Sequence, residues 1–265
     1  MDDKKTTSAY TSNIPVECVT HQEITDKFKI MIRKALKATK MVLLERCDDL
    51  LHWSKEDKNE FRTIFGFDGD NYVNVKKYGE NTGRQIKARF LMADGIRRLM
   101  VIANELNLDS FKNYTKCERF AAFVSPDLDP PYIINIGAHF ESRKGSKILV
   151  TGNDSHVSTI CHEISHIIKY WKDNSKGGMW TQDYTAANKF STSDKDEVSY
   201  EKHVLVAQQL VDAKEEQLFE NAYNIERYFY IKLNDNDIDA KDEDLLNSDI
   251  VSRIGLLEEY VGSIL

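Results

Sequence analysis

Residues 154–171 read DSHVSTICHEISHIIKYW, and this stretch constrains the chain more than any other. Asp154-Ser155 supplies a helix start, and the following residues carry an apolar pattern of helical period through Ile160, Ile164, Ile167 and Ile168. The spacing predicts a helix from about His156 to Lys172. Within it His162-Glu163-Ile164-Ser165-His166 fits H-E-x-x-H. Histidines four apart lie one turn from each other on one helix face, so both imidazoles can reach a single tetrahedral Zn2+. Glu163 then flanks the open coordination position, where it can take a proton from water and return it to a leaving amine. Three fixed positions recur by chance in roughly one chain of this length in a hundred, so the weight comes from the apolar helix around them.

The rest of the chain frames that helix. Residues 1–19 read as a flexible tail. Helical periodicity covers about 21–51, through Ile24, Phe28, Met31, Ile32, Ala35, Leu36, Val42 and Leu43. Ser54 with Glu56 and Asp57 predicts a capped second helix, and Gly66 its stop. Residues 67–80 are turn-rich, and a third helix is expected from about 84 to 106. From Arg119 the texture changes: FAAFVS, YIINIGAHF and KILV, separated by Pro and Gly turn signals, predict a small sheet. A loop is expected over 173–196, then helices at about 199–219, 221–232 and 243–263. The order predicts an α+β fold, a helix-rich domain with a small β-sheet. Its expected divisions are the tail, a domain over 20–232, and an acidic linker with a terminal helix over 233–265.

Composition removes several classes of function. The 265 residues are 41% hydrophobic, enough for a substantial core, and no run approaches the roughly 20 apolar residues of a membrane helix. The net charge is −7 and no dense Lys/Arg block is present, so nucleic acid is not expected as a partner. Cys18, Cys47, Cys117 and Cys161 form neither a CxxC pair nor a zinc knuckle, and Cys161 reads as a small buried apolar residue. The polar N-terminus lacks a signal peptide's apolar segment, so the expectation is export or delivery into another cell by a route without one, or a cytoplasmic location.

A catalytic zinc needs a third protein ligand. Asp173, Asp183, Asp194, Asp196, Glu197, Glu201 and His203 all lie downstream of the motif. Asp173 is too close to the helix end to curl back. Chemistry alone leaves two candidates, Asp183 and the Glu197/Glu201 pair. His139, His156 and His203 each stand alone in their segments and read as structural or surface residues.

The region resembles the deuterolysin and peptidyl-lysine metalloendopeptidase group, the aspzincins, whose H-E-x-x-H is followed by a G-T-x-D-x-x-Y-G loop. Thr181 and Asp183 match the T-x-D portion. Residues 132–140, Asp154-Ser155, the segment Asn221-Ala222-x-Asn224-x-Glu226, and Phe61 through Gly66 resemble other parts of that family, so the likeness runs over about residues 20–230. It implies a zincin-like metalloprotease domain, with Asp183 as the third ligand and a peptide or protein as substrate. This chain departs from the pattern at three positions. Ala186 stands where the family has an oxyanion-stabilising tyrosine, Trp180 replaces its first loop glycine, and Tyr223 replaces an aspartate, so lysine specificity is not carried over. Tyr184 and Tyr223 are the candidates to replace the missing phenol.

The expectation is therefore a Zn2+-dependent endopeptidase with His162, His166 and Asp183 as ligands and Glu163 as general base, of the kind a secreted effector or toxin would carry. The alternatives are another zinc hydrolase, or a zinc-binding interaction module whose catalysis has lapsed.

Overall fold

A computed structural model describes residues 24–74, 85–113, 120–126, 130–143, 145–169, 177–186, 189–190 and 200–262. The tail over 1–19 therefore lies outside the described residues, as do Cys18, Cys117, Asp173, Asp194, Asp196 and Glu197.

The chain is a helix-rich α+β fold. Its helices are α1 (Asp26–His52), α2 (Lys55–Phe65), α3 (Ala88–Glu105), α4 (His156–Ser165), α5 (Tyr200–Asp212), α6 (Ala222–Arg227), α7 (Asp235–Ala240) and α8 (Glu243–Gly262). The strands are short: β1 (Tyr72–Asn74), β2 (Gln85–Lys87), β3 (Phe111–Asn113), β4 (Ala122–Val124), β5 (Ile134–Ile136), β6 (Ser142–Arg143), β7 (Ser146–Lys147), β8 (Tyr184–Ala186) and β9 (Lys189–Phe190).

Local chemistry sets several boundaries. Thr25 caps α1 by accepting from the Phe28 N–H. Ser54 and Asp57 form the reciprocal capping box expected for α2. Gly66 ends that helix in the left-handed region at φ 70, and a side chain there would press on the Val211 carbonyl at 2.8 Å. The third helix starts later than expected, because residues 85–87 pair with β1 as an antiparallel ribbon before α3 begins.

The core lies between α1, α3, α4 and α8. Ile32, Ala35, Val42, Leu43 and Leu50 of α1 are fully buried, and α3 is buried almost throughout. The described part of the terminal segment, residues 233–262, packs into the same core: α8 buries Leu246, Ile250, Leu257 and Val261 against α1 and α3, and α7 buries Ile238.

The sheet that matters to the site has order β3-β5-β4, with β5 parallel to β3 and antiparallel to β4. Ile134 and Ile136 of β5 point into the core. Strand β3 is an element the sequence pattern did not announce. Of the KILV segment only Lys147 joins a strand, at the end of β7 in a two-stranded hairpin with β6, and Leu149 is largely exposed. Among the described residues no helix is long and apolar enough to cross a membrane. Cys47 and Cys161 are free and buried.

Candidate metal centre

Every residue of helix α4 except Thr159 is buried. Ser155 and Ser158 form its capping box. Two histidines and a glutamate inside such a helix need compensating partners, because a buried polar group without one costs several kcal/mol.

The helix ends at Ser165, seven residues short of the expected Lys172, with His166 as its C-cap still in helical geometry (φ −68, ψ −24). The apolar pattern misled because Ile167 stays buried outside the helix. A returning segment takes over the last carbonyls: the Met179 and Thr181 N–H groups donate to Ser165 O, and those of Gly178 and Trp180 donate to Ile167 O. Glycines make this close approach workable. A Cβ at Gly177, where φ is 81, would stand 1.9 Å from Ile168 O, and one at Gly178 would stand 2.4 Å from Ile164 O. Trp180 follows in the left-handed region, at φ 58. The returning segment then bridges Gln182 to Asn221 as a parallel pair, and this aims Asp183 back at α4.

His162, His166 and Asp183 thus converge, each offering one ligand atom within 4.8 Å of the others. His162 Nε2 lies 3.3 Å and His166 Nε2 3.7 Å from Asp183 Oδ1. That oxygen is buried and forms no well-directed hydrogen bond among the described residues. Charge-assisted N–H···O bonds run shorter, at about 2.7–2.9 Å. Donors bound to one tetrahedral zinc at about 2.0–2.1 Å stand roughly 3.3–3.4 Å apart, close to the separations found here. Two nitrogens and one carboxylate oxygen are also a donor set that zinc accepts.

The opposite ring edges are tied down. His166 Nδ1 donates to Thr181 O at 3.0 Å, and Glu226 Oε2 receives His162 Nδ1 at 3.0 Å. The rings sit 4.9 Å apart at 83°. Ser165 Oγ meets Thr181 Oγ1 at 2.6 Å, which locks the returning segment to the helix. Burial alone would lower the pKa of His162, but Asp183 and Glu226 outweigh it and hold it well above its ordinary value. Burial likewise opposes ionisation of Asp183, and the imidazoles of His166 and His162 hold it well below the carboxylate range.

Glu163 lies beside the triad, 6% exposed. Burial pushes its pKa up to about 7, with Asp183 and Glu226 adding to the rise, while His162 and a backbone hydrogen bond from Val124 of β4 oppose it. A carboxylate poised near neutrality can both accept and return a proton.

The two candidate tyrosines separate. The Tyr184 hydroxyl donates to Glu220 Oε2 at 3.1 Å, and its N–H donates to Asn221 Oδ1, so Tyr184 braces the loop and its phenol is not directed to the triad. Tyr223 does adjoin it. Its ring meets the His162 ring edge-on at 4.7 Å and stacks on His203 at 4.7 Å and 8°. Burial, then Asp183, Glu226 and Glu163, raise its pKa well above 10, so it stays a hydrogen-bond donor. His203 is buried, not a surface residue, and its Nδ1 donates to Tyr184 O. Glu201, the alternative third ligand, is exposed on α5. His156 is buried at the start of α4 and donates through Nε2 to Phe140 O. No signal in the sequence separated Glu226 from other downstream acids, although it belongs to the Asn221–Glu226 segment already singled out.

Scans of protein-family models, curated proteins and solved structures return no match to this chain.

Proposed function

We propose that this chain is a zinc-dependent endopeptidase of zincin-like architecture and aspzincin-like sequence, with His162, His166 and Asp183 as the metal ligands. The observation that carries the reading is the convergence of two imidazole Nε2 atoms and Asp183 Oδ1 at 3.3 and 3.7 Å on one side of a buried helix. A bound zinc ion would supply Lewis acidity, polarising a scissile carbonyl and acidifying a water.

The remaining chemistry belongs to the protein. Glu163, near neutrality, accepts the proton of the attacking water and passes it to the leaving amine. Tyr223, protonated throughout the working range, is the donor adjoining the triad for the developing oxyanion. Strand β4 pairs with β5 on one side only among the described residues, and its Val124 touches Glu163. An extended peptide added along that edge would bring a backbone carbonyl near Glu163.

One observation favours a second reading, a zinc-binding module without turnover: Ala186 replaces the family tyrosine and the Tyr184 phenol is engaged elsewhere. A single experiment separates the two. Purified chain loaded with zinc is incubated with cell extract and new N-termini are mapped, with Glu163→Gln as control. An endopeptidase yields new termini that the variant, still holding about one zinc, does not. Zinc uptake with no new termini from the wild type favours the module, and equal cleavage by Glu163→Gln contradicts the proposed role of Glu163.

A further inference from the structure

Resting on the metal-binding reading above, we propose that Glu226 is the positioning residue that fixes His162 in the tautomer whose Nε2 lone pair faces Asp183. Glu226 sits on α6, far from α4 in sequence, and is 4% exposed. Its Oε2 lies 3.0 Å from His162 Nδ1, and its Oε1 accepts the Tyr230 hydroxyl at 3.3 Å. A carboxylate only accepts, so Nδ1 must carry the hydrogen, and Nε2 is left as the donor atom toward the metal.

The two imidazoles are backed unequally. His166 leans on a neutral carbonyl, that of Thr181, while His162 leans on a full carboxylate. A charge-assisted bond is roughly twice as strong as a neutral one, and a carboxylate partner raises the basicity of the ligating ring. Helix α6 has a second hold on the centre: Asn221, the residue before it, bridges Gln182 next to Asp183. Helix α6 is itself largely buried and held to α5, where the Asn224 side chain donates to Ala207 O at 2.9 Å.

The test measures zinc affinity by chelator competition in the full chain, with nitrogen-15 spectra of His162 in the zinc-loaded protein. Glu226→Gln keeps an acceptor but removes the charge, and Glu226→Leu removes both. The expected order is wild type, then Gln, then Leu, with the Leu variant weaker by about 10–100-fold. Wild-type His162 is expected to show Nδ1 protonated and Nε2 metallated. Tyr230→Phe, which removes the other contact of Glu226, is expected to change affinity by less than about threefold. If Glu226→Leu does not fold, Glu226→Gln carries the test, with a loss of about tenfold expected. Equal affinity in wild type and Gln variant, or a His162 metallated through Nδ1, overturns the proposal and leaves the metal centre standing. A wild type that takes up no zinc overturns the metal reading itself, and that failure is visible before any variant is made.

Discussion

His156 should make this fold lose stability in acid, by an amount that can be worked from its surroundings. The ring is 1% exposed, lies against Phe140 with centroids 4.9 Å apart, and donates through Nε2 to Phe140 O at 3.1 Å. Its Nδ1 is buried without a hydrogen-bond partner among the described residues, and the residue opens α4, at the positive end of the helix dipole. Burial pushes its pKa from 6.5 down to about 4, against the opposing bond to Phe140, and Lys147 adds to the fall. Below pH 6.5 the unfolded chain binds a proton that the folded chain refuses until about pH 4, so stability is lost as pH falls through that window. At roughly 1.4 kcal/mol per pH unit the full loss is about 3 kcal/mol, of which about 2 has accrued by pH 5. Glu163 acts in the opposite sense, since its raised carboxyl adds stability as pH falls from about 7. A comparison with a variant therefore isolates the histidine. His156→Phe keeps the ring stack and loses the bond to Phe140 O, costing about 1–2 kcal/mol at pH 7.5. Urea unfolding of both proteins, with chelator present, is measured from pH 7.5 to 4.5. The gap between them should close by about 2 kcal/mol by pH 5 and then reverse. Parallel curves for the two proteins would refute the reasoning, because a histidine that charges freely in the folded state gives no such difference.

Three further outcomes follow from the packing. Gly178→Ala places a Cβ 2.4 Å from Ile164 O, which should push the returning segment off α4 and weaken zinc binding by about tenfold, read by chelator competition. Asp94 is buried with Arg97, Arg98 and Lys169, and burial pushes the Lys169 ammonium down to about 7 even with Asp94 beside it. Asp94→Asn removes the carboxylate these cations share and should cost about 3–5 kcal/mol, or roughly 10 °C in melting temperature by calorimetry. Truncation after residue 242 exposes the face of α1 and α3 that Leu246, Ile250, Leu257 and Val261 cover. At about 1.5–3 kcal/mol per side chain that loss rivals the whole stability of a domain, so circular dichroism should show an unfolded chain.

What could be read from the sequence was local. The i, i+4 histidines, the Ser155 start of α4, and the Ser54–Asp57 box with its Gly66 stop depend on residues a few positions apart, and the structure reproduces each of these elements. The end of α4 was not legible, because it is fixed by a segment that returns from residue 177 onward, whereas the apolar run through Ile168 continues the helical period. Strand β3 escaped notice because only Phe111 of its three residues is buried and its partner β5 lies beyond an intervening strand. Choosing Asp183 over Glu201 required a resemblance, since spacing alone allowed both; the bridge from Gln182 to Asn221 supplies the physical reason for the geometry seen. Glu226 is a tertiary partner of His162 across 64 positions, and no local pattern encodes such a distance.

The central claim is that two Nε2 atoms and one carboxylate oxygen cage a single divalent ion. X-ray absorption at the zinc edge of the zinc-loaded chain tests it most directly. About one zinc per chain is expected, with two nitrogen neighbours at about 2.0–2.1 Å and oxygen at about 2.0–2.2 Å, all lost in Asp183→Ala together with His162→Ala. A shell of sulfur at about 2.3 Å, or zinc retained unchanged in that double variant, would place the ion elsewhere and contradict the account.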